Sequence, residues 1–226
     1  MDDAAFSLGA AIHRAARAGA RVEVLTVLAG DPTSAAPAGS WDARSGFRTA
    51  GEAATARRAE DEGACAVLGA VARRLAFPDA QYGRPVSDED VYAAITAAVA
   101  EAEHVLVPGF PLSHADHAWL ARLVLSREHA ARVGLYVEWP YAYEQLRAGV
   151  NPAVPAEIED LVPRDLRFER ARVGLADGVA KWRAVRRYRS QIRHLGAVGS
   201  ARLLAAEHRL GGEMIGYPGL PTTVRA

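Results

Sequence analysis

Apolar residues recur at helical spacing through 4–18 (AAFSLGAAIHRAARA), and Gly19 supplies a stop, so the chain is predicted to open with a helix. Arg21 to Ala29 (RVEVLTVLA) is short, rich in Val and Leu and without strict alternation. It reads as a strand buried on both faces, closed by Gly30, Asp31 and Pro32. Residues 31–50 are rich in Gly, Ala, Ser and Pro, and a loop of that length suits a flap over a site. Helices are expected over 52–70, 88–102 and about 116–130, with strands over 72–77, His104–Pro108 (HVLVP) and Val133–Val137 (VGLYV). Alternation of this kind implies βαβ units: an α/β fold with a Rossmann-like, mostly parallel sheet and helices on both faces. After Pro140 the pattern becomes mixed and proline-punctuated through 141–170. A basic helix over 177–195 and another over 200–210 follow, predicting a helical C-terminal part. The expected organisation is one domain over 1–226, with an α/β core over 1–141 and a mainly helical part over 142–226.

The pattern lacks a strand ahead of the first helix. A doubly wound sheet builds its first strand at the centre and attaches the first helix to it. The expectation is therefore that this central strand is missing from the chain or precedes Met1.

The chain has 226 residues, half of them hydrophobic, with 27 basic residues against 27 acidic ones. Zero net charge argues against a nucleic-acid partner. No apolar run approaches the roughly 18 residues of a membrane span. The acidic start shows no secretory signal, so a cytoplasmic location is expected. Cys65 is the only cysteine, which excludes an intramolecular disulfide and a cysteine-cluster zinc site and reads as a small buried residue. Lys181 is the only lysine, and the arginine excess reads as codon bias. The run Arg183–Arg193 reads as a solvated helix face.

Ser113-His114-Ala115-Asp116-His117 is the densest chemical cluster, directly after the HVLVPG strand, where open α/β sheets place their sites. His114 and His117, three apart, share a helix face, and imidazole serves as metal ligand or as general acid and base. Asp116 could fix a tautomer. The competing reading is helix capping by Ser113 or Asp116 beside two surface histidines. Asp2 and Asp3 begin the first helix, which this fold places beside the His114–His117 loop. Two adjacent carboxylates could divide the work, one on a metal and one as base. His13, His104, His129, His194 and His208 read as surface or packing residues. Trp41 could stack on a sugar ring or anchor the long loop.

Together these residues resemble the PIG-L/LmbE-like zinc-dependent N-acetylglucosaminyl deacetylases. Asp2-Asp3 followed by Gly9, Gly19, Val22, Val24 and Thr26 is similar to the first family motif, and Arg57, Glu60, Ala64, Leu68 and Gly69 to the middle one. Pro78-Asp79 matches an acidic residue that often follows, and His114, Asp116 and His117 match the last motif. Tyr136–Tyr141 and Ser190-Gln191 look like later features, so residues 1–141 carry most of the resemblance. The resemblance implies zinc held by Asp3 and His117, and Asp2 as the general base. It implies His114 as the group that stabilises the intermediate or protonates the leaving amine, with Asp116 supporting it. Arg57 and Asp79 would hold sugar hydroxyls. It implies hydrolysis of the acetamide of an N-acetylated amino-sugar conjugate, with homo-oligomerisation left open. The family's first zinc ligand is a His two residues before the first Asp, a position that falls before Met1. The expectation is that the true start lies upstream. Alternatives are a non-catalytic sugar- or protein-binding relative and an amidase for a non-sugar amide.

Overall fold

The computed structural model of the protein describes residues 1–83, 87–194 and 199–218. Helix α1 (Asp3–Arg17) comes first, and its N-terminal half is buried through Phe6, Ser7, Leu8 and Gly9. Strand β1 (Glu23–Thr26) pairs in parallel with β2 (Val71–Arg74), joined by a short helix α2 (Ser40–Arg44) and the long α3 (Ala50–Leu68). The ends of α3 are written locally. The Thr49 hydroxyl accepts the Glu52 N–H at 3.1 Å, and Gly69 closes the helix at φ +72°. Helix α4 (Asp88–Ala98), capped by Ser87, leads to β3 (His104–Phe110). Helix α5 (Ala115–Leu125) then leads to β4 (Arg132–Val137), parallel to β3.

The parallel βα units are as the pattern predicts, but the strands fall into two sheets, β1-β2 and a second one in which β6 (Met214–Gly216) and β5 (Glu169–Arg170) extend the pair, in the order β3-β4-β6-β5. No ladder joins β1 to β3 among the described residues. The C-terminal part is not purely helical. Between α6 (Tyr143–Arg147) and α7 (Leu175–Val185) lies β5 (Glu169–Arg170), and α8 (Arg189–Ile192) and α9 (Gly199–Arg209) precede β6 (Met214–Gly216). Strand β6 runs antiparallel to both β4 and β5. The basic helix expected over 177–195 starts at Leu175 and breaks after Val185, because Tyr188 turns inward; residue 195 lies outside the described residues. Arg183, Arg186, Arg187, Arg189 and Arg193 are exposed, a solvated face as read.

Two apolar clusters hold these layers. One joins α1, α3 and α7 to the far end of β4 through Phe6, Leu68, Val137, Trp139 and Val185. The other sets α4 and α5 on β3 through Val91, Ile95, Val107, Val124 and Leu135. Cys65 is buried in the first, and burial pushes its thiol up to about 12. No helix among the described residues is long and apolar enough to cross a membrane.

Candidate active site

Strands β3 and β4 end side by side, and the segments leaving their carboxyl ends supply the site. The turn after β3 contains Leu112 at φ +56°, a left-handed conformation that costs a non-glycine residue energy and persists where surroundings enforce it. Here the enforcing contact is Glu138, the first residue after β4. It is 1% exposed, and its Oε1 accepts the Leu112 N–H at 2.8 Å. Its Oε2 takes the Nδ1 position of His117. The other ring nitrogen, Nε2, lies 3.3 Å from Asp3 Oδ1 at the start of α1.

His117 therefore bridges two carboxylates, one buried and one facing the cleft. Burial works to lower its pKa, but the hydrogen bonds and charges of Asp3 and Glu138 win and lift it to about 10. For Asp3 the same pairing outweighs burial and holds the carboxyl well below the usual range. Asp2 is pushed the other way, by burial and then by the Asp3 charge. The two adjacent aspartates are thus electrostatically distinct, and only Asp3 touches His117.

His114 is the N-cap of α5. Its Nδ1 accepts the backbone N–H of Asp116 at 3.2 Å, so neither Ser113 nor the Asp116 carboxylate caps the helix. The His114 and His117 rings lie 4.9 Å apart. Tyr141 stands edge-on to His117 at 5.4 Å and 6.2 Å from His114, 39% exposed at the mouth. Asp116 is 8% exposed, and its Oδ2 accepts the N–H of Ala80 at 3.3 Å. The structure thus brings Asp2, Asp3, His114, Asp116 and His117 to one place. Asp79 instead caps a short 3-10 turn (Ala80–Tyr82), bonding the Gln81 N–H at 3.1 Å and the Gln81 side chain at 3.0 Å. Arg57 is ion-paired with Asp42.

Glu138 is the residue that reading the chain missed. Its only local signal is a carboxylate at the end of an apolar strand. The other histidines pack: His13 on Asp177 at 2.8 Å, His129 on the Val124 carbonyl, His104 on Tyr217 and His208 on Arg170. Trp41 anchors its loop, with Nε1 on Gln191 at 3.1 Å, His194 tilted against its ring at 4.4 Å and Arg44 over the ring at 5.1 Å.

In kind, Asp3 and His117 suit a divalent cation: a carboxylate beside an imidazole whose far nitrogen is held by a second carboxylate. In number they stop short. Among the described residues no group of three His, Cys, Asp or Glu side chains could hold a metal ion.

Orienting carboxylates behind a metal-binding histidine are worth about 10–100-fold in affinity or activity. If Asp3 and His117 hold a cation, Glu138→Gln should lower its affinity by about that factor while the protein stays folded, because the amide oxygen can still accept the Leu112 N–H. A cation titration beside a melting curve measures both.

Paired carboxylates beside imidazoles near the carboxyl ends of parallel strands form a cluster whose residue types suit acid–base chemistry. Residues 1–127 match the family model described as PIG-L: GlcNAc-PI de-N-acetylase, and the chain belongs to that family. No curated protein matches the chain. Among solved structures, the A40926 pseudoaglycone deacetylase aligns at TM-score 0.75 and 27% identity, over 99% of this chain and 95% of that one. The zinc-inhibited form of teicoplanin deacetylase aligns at 0.71 and 26%, over 96% and 94%. The 4-carboxy-2-hydroxymuconate hydratase GalB from Pseudomonas putida KT2440 aligns at 0.62 over 100% and 95%; at 18% identity this likeness is one of fold.

Proposed function

We propose that this chain hydrolyses the acetamide of an N-acetylated amino sugar in a small glycoconjugate, releasing acetate and the free amine. The observation that carries the reading is the Asp3–His117–Glu138 line with Asp2 and His114 beside it, in a member of a de-N-acetylase family. Asp3 and His117 would hold a divalent cation, zinc in this reading. A bound cation of this kind supplies a Lewis acid for the amide carbonyl and lowers the pKa of a water molecule.

The chain's own residues supply the rest. Asp2, free of His117, takes the proton from the attacking water as the C–O bond forms. His114 accepts the Asp116 N–H at Nδ1, so its Nε2–H donates a hydrogen bond to the developing oxyanion, and Asp2 passes the proton it has taken to the nitrogen as the C–N bond breaks. Amines leave poorly from amides without that proton. Asp116 braces the turn that bears the motif against Ala80. In this reading Arg57 and Asp79 would hold sugar hydroxyls.

Acetate release from a panel of N-acetylglucosamine glycosides tests the reading. Teicoplanin deacetylase has been solved in a zinc-inhibited form, so the metal is best added up to one equivalent and not in excess. Chelation should abolish release, and one equivalent of zinc should restore it. A metal-loaded protein that frees no acetate from any N-acetylated sugar sinks the proposal, and release only from acylated non-sugar amines moves it to the amidase alternative.

A further inference from the structure

We propose that Asp42, in the short helix α2 before α3, is a positioning residue that aims the Arg57 guanidinium into the substrate cleft. The proposal rests on the de-N-acetylase reading and adds a residue to it. Arg57 and Asp61 lie one turn apart on the same face of α3. The Tyr188 hydroxyl is 2.8 Å from Asp61 Oδ1 and 3.3 Å from the Met1 carbonyl oxygen. That face of α3 therefore looks onto the start of α1, where Asp2 and Asp3 lie. The Arg57 side chain is 17% exposed and ion-paired with an Asp42 side chain that is 2% exposed. Its Nε is buried without a hydrogen-bond partner. An unmet buried donor is costly, and an oxygen of an arriving sugar would satisfy it.

Asp42 is itself fixed from a third element. The Tyr82 hydroxyl donates to its Oδ2 at 2.5 Å, and the Gln81 amide at 3.2 Å. The Tyr82 oxygen in turn accepts the Gly39 N–H at 2.9 Å. A Cβ on Gly39 would fall 2.1 Å from the Gln81 side chain, so glycine is what lets the loop and the 79–82 turn meet this closely. The neighbouring Ala80 N–H reaches Asp116. The other end of the loop is tied to the C-terminal part, with Ser45 on His194 at 2.7 Å and Arg193 on the Ser45 carbonyl at 2.8 Å. The segment expected as a flap is therefore a fixed wall. Its buried carboxylate neutralises Arg57 and sets its direction. A guanidinium held on one edge keeps its other donors for a ligand.

A double-mutant cycle tests this with Asp42→Asn and Arg57→Lys, each alone and together. Asparagine can still bond Tyr82 and Gln81 but lacks the charge that holds Arg57. Lysine keeps a cation for Asp42 but lacks the planar fork. For an N-acetylglucosamine glycoside, Asp42→Asn should raise KM about tenfold with kcat changed less than about threefold, the signature of lost substrate binding. In the Arg57→Lys background the same change should add little, because Asp42 acts through Arg57. Bound metal and melting temperature are followed in all four proteins. Equal KM effects of Asp42→Asn in both backgrounds, or no KM effect at all, overturn the proposal while leaving deacetylation by the unaltered protein in place. If the unaltered protein frees no acetate, the cycle is read as sugar affinity by calorimetry. Absence of both turnover and binding removes the reading and this proposal together.

Discussion

Asp3→Asn should abolish acetate release and bound cation together, whereas Asp2→Asn should keep the cation and lower kcat by about 10²–10⁴. The asymmetry follows from geometry. Asp3 Oδ1 lies 3.3 Å from His117 Nε2, so these two would hold the cation together. Asp2 precedes the helix, makes no contact with His117, and has its carboxyl pushed up by burial and by Asp3. An amide at position 3 removes the negative charge that, with the imidazole, would offset a divalent ion. An amide at position 2 leaves that pair intact and removes only a proton acceptor. Metal analysis after gel filtration, run beside acetate release, separates the two outcomes. Equal loss of metal in both variants would mean that both aspartates are ligands and that the base lies elsewhere.

Much of this site was legible in the chain, because its chemistry is written in contiguous runs. Asp2-Asp3 opens a helix and His114–His117 follows a strand, and a fold that places strand ends together brings such runs into one cleft. Helices α1, α3 and α5 were legible for the related reason that apolar periodicity lies within one segment. What stayed hidden is non-local. Glu138 acts on a histidine 21 residues earlier. Asp42 acts on Arg57 with help from Tyr82, 40 positions on. Strands β5 and β6, two and three residues long, exist only by pairing with β4 and each other, so no local periodicity could announce them. The sole lysine, read as a mark of codon bias, lies at the centre of a buried charge cluster. Its partners are 26 and 32 residues away.

That cluster sets the second large effect. Lys181→Met should destabilise the protein by about 3–5 kcal/mol, a large share of the roughly 5–15 kcal/mol of a typical domain. Lys181 Nζ donates to Glu207 at 2.6 Å and to Glu213 at 2.8 Å, and all three side chains are at most 5% exposed. Methionine fills much of the same volume but leaves two carboxylates facing each other without a cation. Glu213 is also tied to the backbone: its two oxygens accept the N–H groups of Ala10 and Ala11 in the middle of α1, at 2.8 and 2.7 Å. A Cβ on Gly9 would lie 2.8 Å from Lys181 Cγ, so a bare backbone is what lets the lysine stem cross α1.

Glu207 has no such backbone duty. Burial and then the charge of Glu213 outweigh Lys181 and raise its carboxyl to about 7, against 4.5 for an ordinary glutamate. Between those values the folded chain holds a proton that the unfolded chain has lost. Stability from this group therefore falls as pH rises through the window, by at most about 1.4 kcal/mol per pH unit. Glu207→Gln should flatten that decline while keeping the Lys181–Glu213 pair, and Glu213→Gln should cost far more. Denaturant melts from pH 5 to 8 measure all three variants. A Lys181→Met protein as stable as the parent at pH 8 would mean that the two glutamates are tolerated without the lysine's charge. The cluster would then not be what joins α1, with the aspartates at its start, to the C-terminal strand.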